Sequence, residues 1–78
     1  MNTLSSDIFN YVHWADEYEK NASNIQTAID KRKQRLKNEK LTADLKKTLQ
    51  DEIIALQKIR REQIDYSVRI RKYARTTV

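Results

Sequence analysis

The sequence predicts an all-α protein, an antiparallel two-helix hairpin of the coiled-coil type, and three observations point to that class. The chain of 78 residues contains no Gly and no Pro, so turns that need a positive φ are disfavoured and long helices are favoured. Apolar residues recur at steps of three and four over two long segments, as they do on one face of a helix. Only a few polar residues separate these segments, which is typical of neighbouring antiparallel helices.

The first helix is predicted over residues 7–38, after a flexible segment 1–5 and with Ser6 or Asp7 as its N-cap. Arg32 interrupts its apolar face, but the methylenes of an Arg can cover apolar surface while the guanidinium stays in water. The stretch 21–24 is the weak point, because Asn and Ser compete with the helical backbone for hydrogen bonds, and we expect the helix to continue through it. The apolar face consists of Ile8, Tyr11 or Val12, Ala15, Tyr18, Ala22, Ile25, Ile29 and Leu36.

The second helix is predicted over residues 43–75, followed by a flexible segment 76–78. Thr42 is the predicted N-cap, and Asp44 lies in the first turn, where the helix dipole favours an anion. The loop covers residues 38–42, and Asn38 is predicted to end the first helix in a left-handed conformation. The apolar face consists of Leu45, Leu49, Leu56, Ile59, Tyr66, Ile70 and Tyr73, with Glu52 or Ile53 and Gln63 between them.

The two apolar faces fit one register, and residues 1–78 therefore form one hairpin domain. If Leu36 faces Leu45, facing residues have numbers that sum to 81. Small residues then oppose large ones, as interdigitation requires. The predicted pairs include Ala22 with Ile59, and Ala15 with Tyr66.

The apolar surface is larger than one contact between two helices needs. All six aromatic residues lie at the end where the termini meet, and the apolar face is widest there. The surplus indicates a further protein surface. We expect a homo-oligomer, with a four-helix dimer favoured, or a helical protein partner. The predicted partner-binding residues lie beside the predicted contact between the helices: Phe9, Val12, Trp14, Ile54, Ile64 and Val68.

The opposite end of the hairpin is basic. Residues 30–47 contain eight Lys and Arg against three Asp and Glu, which accounts for the whole net charge of +5. Such a tip suits an acidic partner or a phosphate backbone. A solubilising tip is the favoured interpretation, because the tip has no aromatic residue for base stacking. The candidate contacts to an anionic partner or nucleic acid are Lys31, Lys33, Arg35, Lys37, Lys40, Lys46 and Lys47.

Catalysis is not expected from this composition. The chain has no Cys and one His, His13, so neither a zinc site nor a nucleophile with its base is available. No cofactor, metal or small-molecule substrate is predicted. The chain has neither a membrane-spanning stretch nor a secretory signal, and we expect a cytoplasmic protein. The predicted function is that of a small non-enzymatic interaction protein.

Two alternatives fit the same outline. Rop-type hairpins dimerise into bundles that bind RNA, and this chain resembles them at the level of fold, which favours a nucleic-acid-binding regulator acting through the basic tip. Over its whole length the chain also resembles the hairpin co-chaperones of type III secretion needle subunits, and the needle subunits themselves, in size, two amphipathic helices and a short loop. Needle subunits usually have a Pro-containing turn, where residues 38–41 here have none. A phage-encoded inhibitor of a host protein is equally compatible.

Overall fold

The two helices form an elongated antiparallel hairpin. The computed structural model describes the backbone of residues 3–77 and the side chains of residues 10–75. Helix α1 spans Thr3–Asn38 and helix α2 spans Ala43–Thr77, and they pack along their length. The Cα atoms extend over 61 × 14 × 12 Å. The predicted all-α hairpin is confirmed.

Both helices are longer than predicted. Helix α1 begins at Thr3, so residues 3–5 are helical rather than flexible and neither Ser6 nor Asp7 is an N-cap. Helix α2 ends at Thr77, which makes residues 76–77 helical as well. The predicted flexibility of residues 1–2 and 78 lies outside the described residues. The physical reason is that the sequence contains no Pro or Gly to stop a helix near either end. Helix α1 also continues through residues 21–24, as expected.

The turn between the helices occupies residues 39–42. At its start, the Glu39 backbone N–H donates to the Arg35 carbonyl at 3.0 Å, and the side chains of these residues form an ion pair at 2.9 Å. At its end, Thr42 Oγ1 accepts from the Leu45 backbone N–H at 3.2 Å, which confirms the predicted N-cap. The left-handed Asn38 is wrong, since no residue in the described range has a positive φ. Four residues reverse the chain without one.

The contact between the helices, called the seam below, follows the predicted apolar face on α1. Its residues are buried or half-buried at steps of three and four, and Ile29 is only 1% exposed. On α2 the seam differs from the prediction, because its centre passes through small and charged side chains. The seam residues of α2 are Leu49, Ile53, Leu56, Arg60, Gln63, Ser67, Ile70 and Ala74.

The register is shifted by about one helical turn from the predicted one. The contacting residues have numbers that sum to 84, and four predicted seam residues of α2 are exposed instead: Leu45, Ile59, Tyr66 and Tyr73. Size explains the difference, because the small seam residues Ser67 and Ala74 let α2 pack closely against Ala15 and Ala22. The contacts at the new register are Tyr11 with Tyr73, Tyr18 with Tyr66, Asn21 with Gln63, and Arg32 with Glu52.

Arg60 is a weak point of this seam. Its Nε is buried and has no hydrogen-bond partner, and a buried donor without an acceptor costs about 1–3 kcal/mol. We therefore expect Arg60→Met, which keeps the apolar stem, to stabilise the hairpin by about 1 kcal/mol. At this chain length that corresponds to a rise of about 4–8 °C in Tm, measurable by thermal circular dichroism. The control is Arg61→Met at the exposed neighbour. An equal or lower Tm for Arg60→Met relative to this control would contradict the prediction.

Candidate functional site: an exposed aromatic face

The contacts between the helices define two long faces of the hairpin, one on each side of the seam. On α2, Glu52, Tyr66 and Tyr73 each precede a seam residue by one position, and all three contact α1 on the same side. Arg71 follows a seam residue and contacts Asp16 and Glu19 on the other side. Helical spacing assigns further residues in the same way. We call the first side the aromatic face and the second the Arg71 face.

Ring contacts across the seam build the aromatic face. The Tyr11 and Tyr73 rings are nearly perpendicular with centroids 5.2 Å apart, and the Tyr18 and Tyr66 centroids lie 5.4 Å apart. Trp14 packs edge-on against Tyr11 at 5.8 Å. Edge-to-face pairs contribute beyond the area that they bury. The rings are therefore held in place by the hairpin, although much of their surface stays exposed.

An apolar row on α2 extends this face toward the tip. Ile59, Tyr66 and Tyr73 are seven residues apart, and Leu45 lies fourteen residues before Ile59 on the same side. All four are exposed, and Tyr73 is 57% exposed while Trp14 of α1 is 54% exposed. A heptad-spaced row is the pattern by which a helix packs against another helix. One hairpin already has its seam, so this row is a second contact surface.

The polar groups at the edge of the aromatic face are paired with one another. Asn21 Nδ2 donates to Gln63 Oε1 at 3.5 Å. Arg32 Nε pairs with Glu52 Oε2 at 2.7 Å, and Arg32 Nη1 donates to the Ala28 carbonyl at 3.1 Å. Paired groups can be covered at a lower desolvation cost than unpaired ones. An open groove of about 410 Å³ lies beside them, lined by Trp14, Glu17, Tyr18 and Asn21.

An ion cluster crosses the Arg71 face. The Arg71 guanidinium binds Glu19 through Nε at 3.0 Å and Nη2 at 3.0 Å, and Nη2 also pairs with Asp16. The hydrogen bonds to Glu19, and then those to Asp16, raise the pKa of Arg71 above its usual value. Covering this cluster with a partner would remove charged groups from water, which is costly. The Arg71 face is therefore less suited to binding than the aromatic face.

The structure divides the predicted partner-binding residues between the two faces. Trp14 lies on the aromatic face. Val12, Ile64, Val68 and Ile54 lie toward the Arg71 face by helical spacing, and among them Ile64 is half-buried while the others are exposed. Phe9 lies in α1, but its side chain is outside the described range. The prediction omitted Ile59, Tyr66 and Tyr73, which it assigned to the seam. The small Ser67 and Ala74, spaced by seven, were the signal that could have moved the seam.

The basic tip presents mostly free ammonium groups. Arg35 is paired with Glu39. The other candidate contacts are exposed and form no ion pair with any described residue: Lys31, Lys33, Lys37, Lys40, Lys46 and Lys47. The nearby depression is lined by polar side chains and contains no aromatic ring. The tip therefore offers positive charge without a stacking platform.

Other features and the comparisons add little to this site. Residues 3–77 contain no group of three His, Cys, Asp or Glu side chains arranged to hold a metal ion. Neither described helix has an apolar stretch long enough to cross a membrane. The fold and the site thus define a class, a two-helix hairpin with an exposed aromatic face. Comparison with protein-family models, curated proteins and solved structures finds no match.

Proposed function

We propose that this hairpin is a non-enzymatic interaction protein that binds helices of a protein partner through its aromatic face. The exposed heptad row of Ile59, Tyr66 and Tyr73 beside Trp14 is the observation that carries the proposal. Burying one large apolar side chain contributes about 1.5–3 kcal/mol. Four such groups on one rigid face are enough for a specific complex, since micromolar affinity corresponds to about 8 kcal/mol.

The basic tip supports the nucleic-acid alternative less well. Its lysines would attract a phosphate backbone, but none of the six aromatic residues lies there for stacking on bases. The rings are concentrated at the other end of the molecule. We therefore place the binding function on the aromatic face, while the tip contributes solubility and long-range charge.

Photo-cross-linking in the cells that make the protein tests this proposal. A benzophenone amino acid replaces Tyr66 on the aromatic face, and the matched control replaces Val68, which is also exposed but lies toward the Arg71 face. We expect a discrete cross-linked protein band from position 66 and little from position 68. Equal cross-linking at both positions, or none at position 66, would overturn the proposal. The mass of the band shows whether the partner is a second copy or another protein.

A further inference from the structure

We infer that the occupant of the aromatic face is a second copy of this chain, docked antiparallel so that the tip of each hairpin lies beside the termini of the other. This inference rests on the proposed function and deepens it by naming the partner. In such a dimer a two-fold axis crosses the middle of the hairpin, and each helix packs against the same helix of the other copy. The product is an antiparallel four-helix bundle.

The area exposed by the single hairpin supports a partner of this size. A compact monomer of 9.3 kDa exposes about 5,000 Å², whereas this chain exposes 6314 Å². The excess exceeds the roughly 800 Å² that each partner contributes to a standard interface. A second hairpin is as long as the first and would cover the whole row from Leu45 to Tyr73. A short helical segment would leave part of that row exposed.

The aromatic face is compatible with its own copy in charge. The molecule carries a net charge of +5, and like-charged proteins repel. On this face, however, Arg35 is paired with Glu39, and Arg32 with Glu52. Two such faces can therefore meet without burying unpaired like charges. A partner selected by opposite charge would be expected to bind the lysine-rich tip instead.

The distribution of charge along the rod selects the antiparallel direction. A parallel dimer would place two basic tips side by side, each with eight positive and three negative residues. In the antiparallel dimer each tip lies near Glu17 of the other copy, which forms no ion pair among the described residues. Glu17 and Lys31 are fourteen residues apart and share one side of α1. The exposed Leu45 then lies toward the rings at Tyr73 of the other copy.

Disulfide trapping tests the partner and the direction together, because the chain has no cysteine of its own. We prepare Glu17→Cys and Lys31→Cys as separate single variants at exposed positions and check their helicity. Mixing them under mild oxidation is expected to give mainly the mixed disulfide dimer. Lys20→Cys, which is exposed on the outer side of α1, replaces Glu17→Cys in the control mixture and is expected to give several-fold less.

Each contrary result has a distinct meaning. If sedimentation shows a monomer at all concentrations up to millimolar, or if position 66 cross-links a different protein, the second copy is wrong and the proposed function stands. If the chain dimerises but the Glu17→Cys and Lys31→Cys mixture gives no more product than the control, the antiparallel direction is wrong. If position 66 cross-links nothing, the proposed function fails as well.

Discussion

Replacing Ile29 with aspartate is expected to unfold the hairpin. Ile29 is among the largest side chains that the fold buries completely, and it lies near the middle of the seam. Truncating such a residue costs about 2–5 kcal/mol, and an aspartate adds the cost of an unpaired buried carboxylate. A core of this size supplies only about 3–5 kcal/mol. The chain should lose most of its helical circular dichroism and its cooperative thermal transition at neutral pH.

The control for this variant is Thr27→Asp, which introduces the same side chain at an exposed position two residues away. It removes one hydrogen bond from Thr27 Oγ1 to the Ser23 carbonyl at 3.3 Å, so only a small loss of stability is expected. If Ile29→Asp retained its helicity and melted within a few degrees of Thr27→Asp, the seam described above would be wrong.

The double variant Ile59→Lys, Tyr66→Lys is expected to abolish association without unfolding the hairpin. Both side chains are exposed in the single hairpin, so their loss removes little from the seam. In the dimer each would bury apolar surface worth about 1.5–3 kcal/mol, and the new charges add desolvation. A loss of about 3 kcal/mol or more weakens binding at least 100-fold. Sedimentation equilibrium measures the dissociation constant, and circular dichroism reports the fold.

The matched control is the double variant Ile54→Lys, Val68→Lys. These residues are 65% and 56% exposed, more than Ile59 and only slightly more or equally apolar as a target for a partner, and they lie toward the Arg71 face. The control adds the same two charges, so its dissociation constant should change by only a few-fold. If this control weakens association as strongly as the first variant, the partner surface is the one predicted from the sequence.

The fold class and the first helix could be predicted because their signals are local. The absence of Gly and Pro and the steps of three and four need only the sequence. On α1 the seam residues Ala15, Ala22 and Ile29 are the apolar residues on a single stripe, so only one assignment fits. Thr42 was predictable for the same reason, since a cap depends on the next three residues.

The seam of α2 could not be predicted because two overlapping stripes share Leu49, Leu56 and Ile70. Hydrophobicity favours the stripe with Tyr66, whereas packing against Ala15 favours the stripe with Ser67. The choice depends on the size of side chains across the seam, which a single helix pattern does not contain. The candidate site followed the same error, because rings assigned to the seam were not available for a partner.

The antiparallel path of the chain has a consequence for the order in which the molecule closes. The ion pair of Arg32 and Glu52 joins residues twenty apart, whereas the pair of Arg71 and Asp16 joins residues fifty-five apart. Closing a longer loop costs more entropy, so the hairpin should close like a zipper from the turn outward. The end that carries the exposed rings is then the last to form and the first to fray. Capture by a partner there would lock the zipper shut, so recognition and completion of folding become one event.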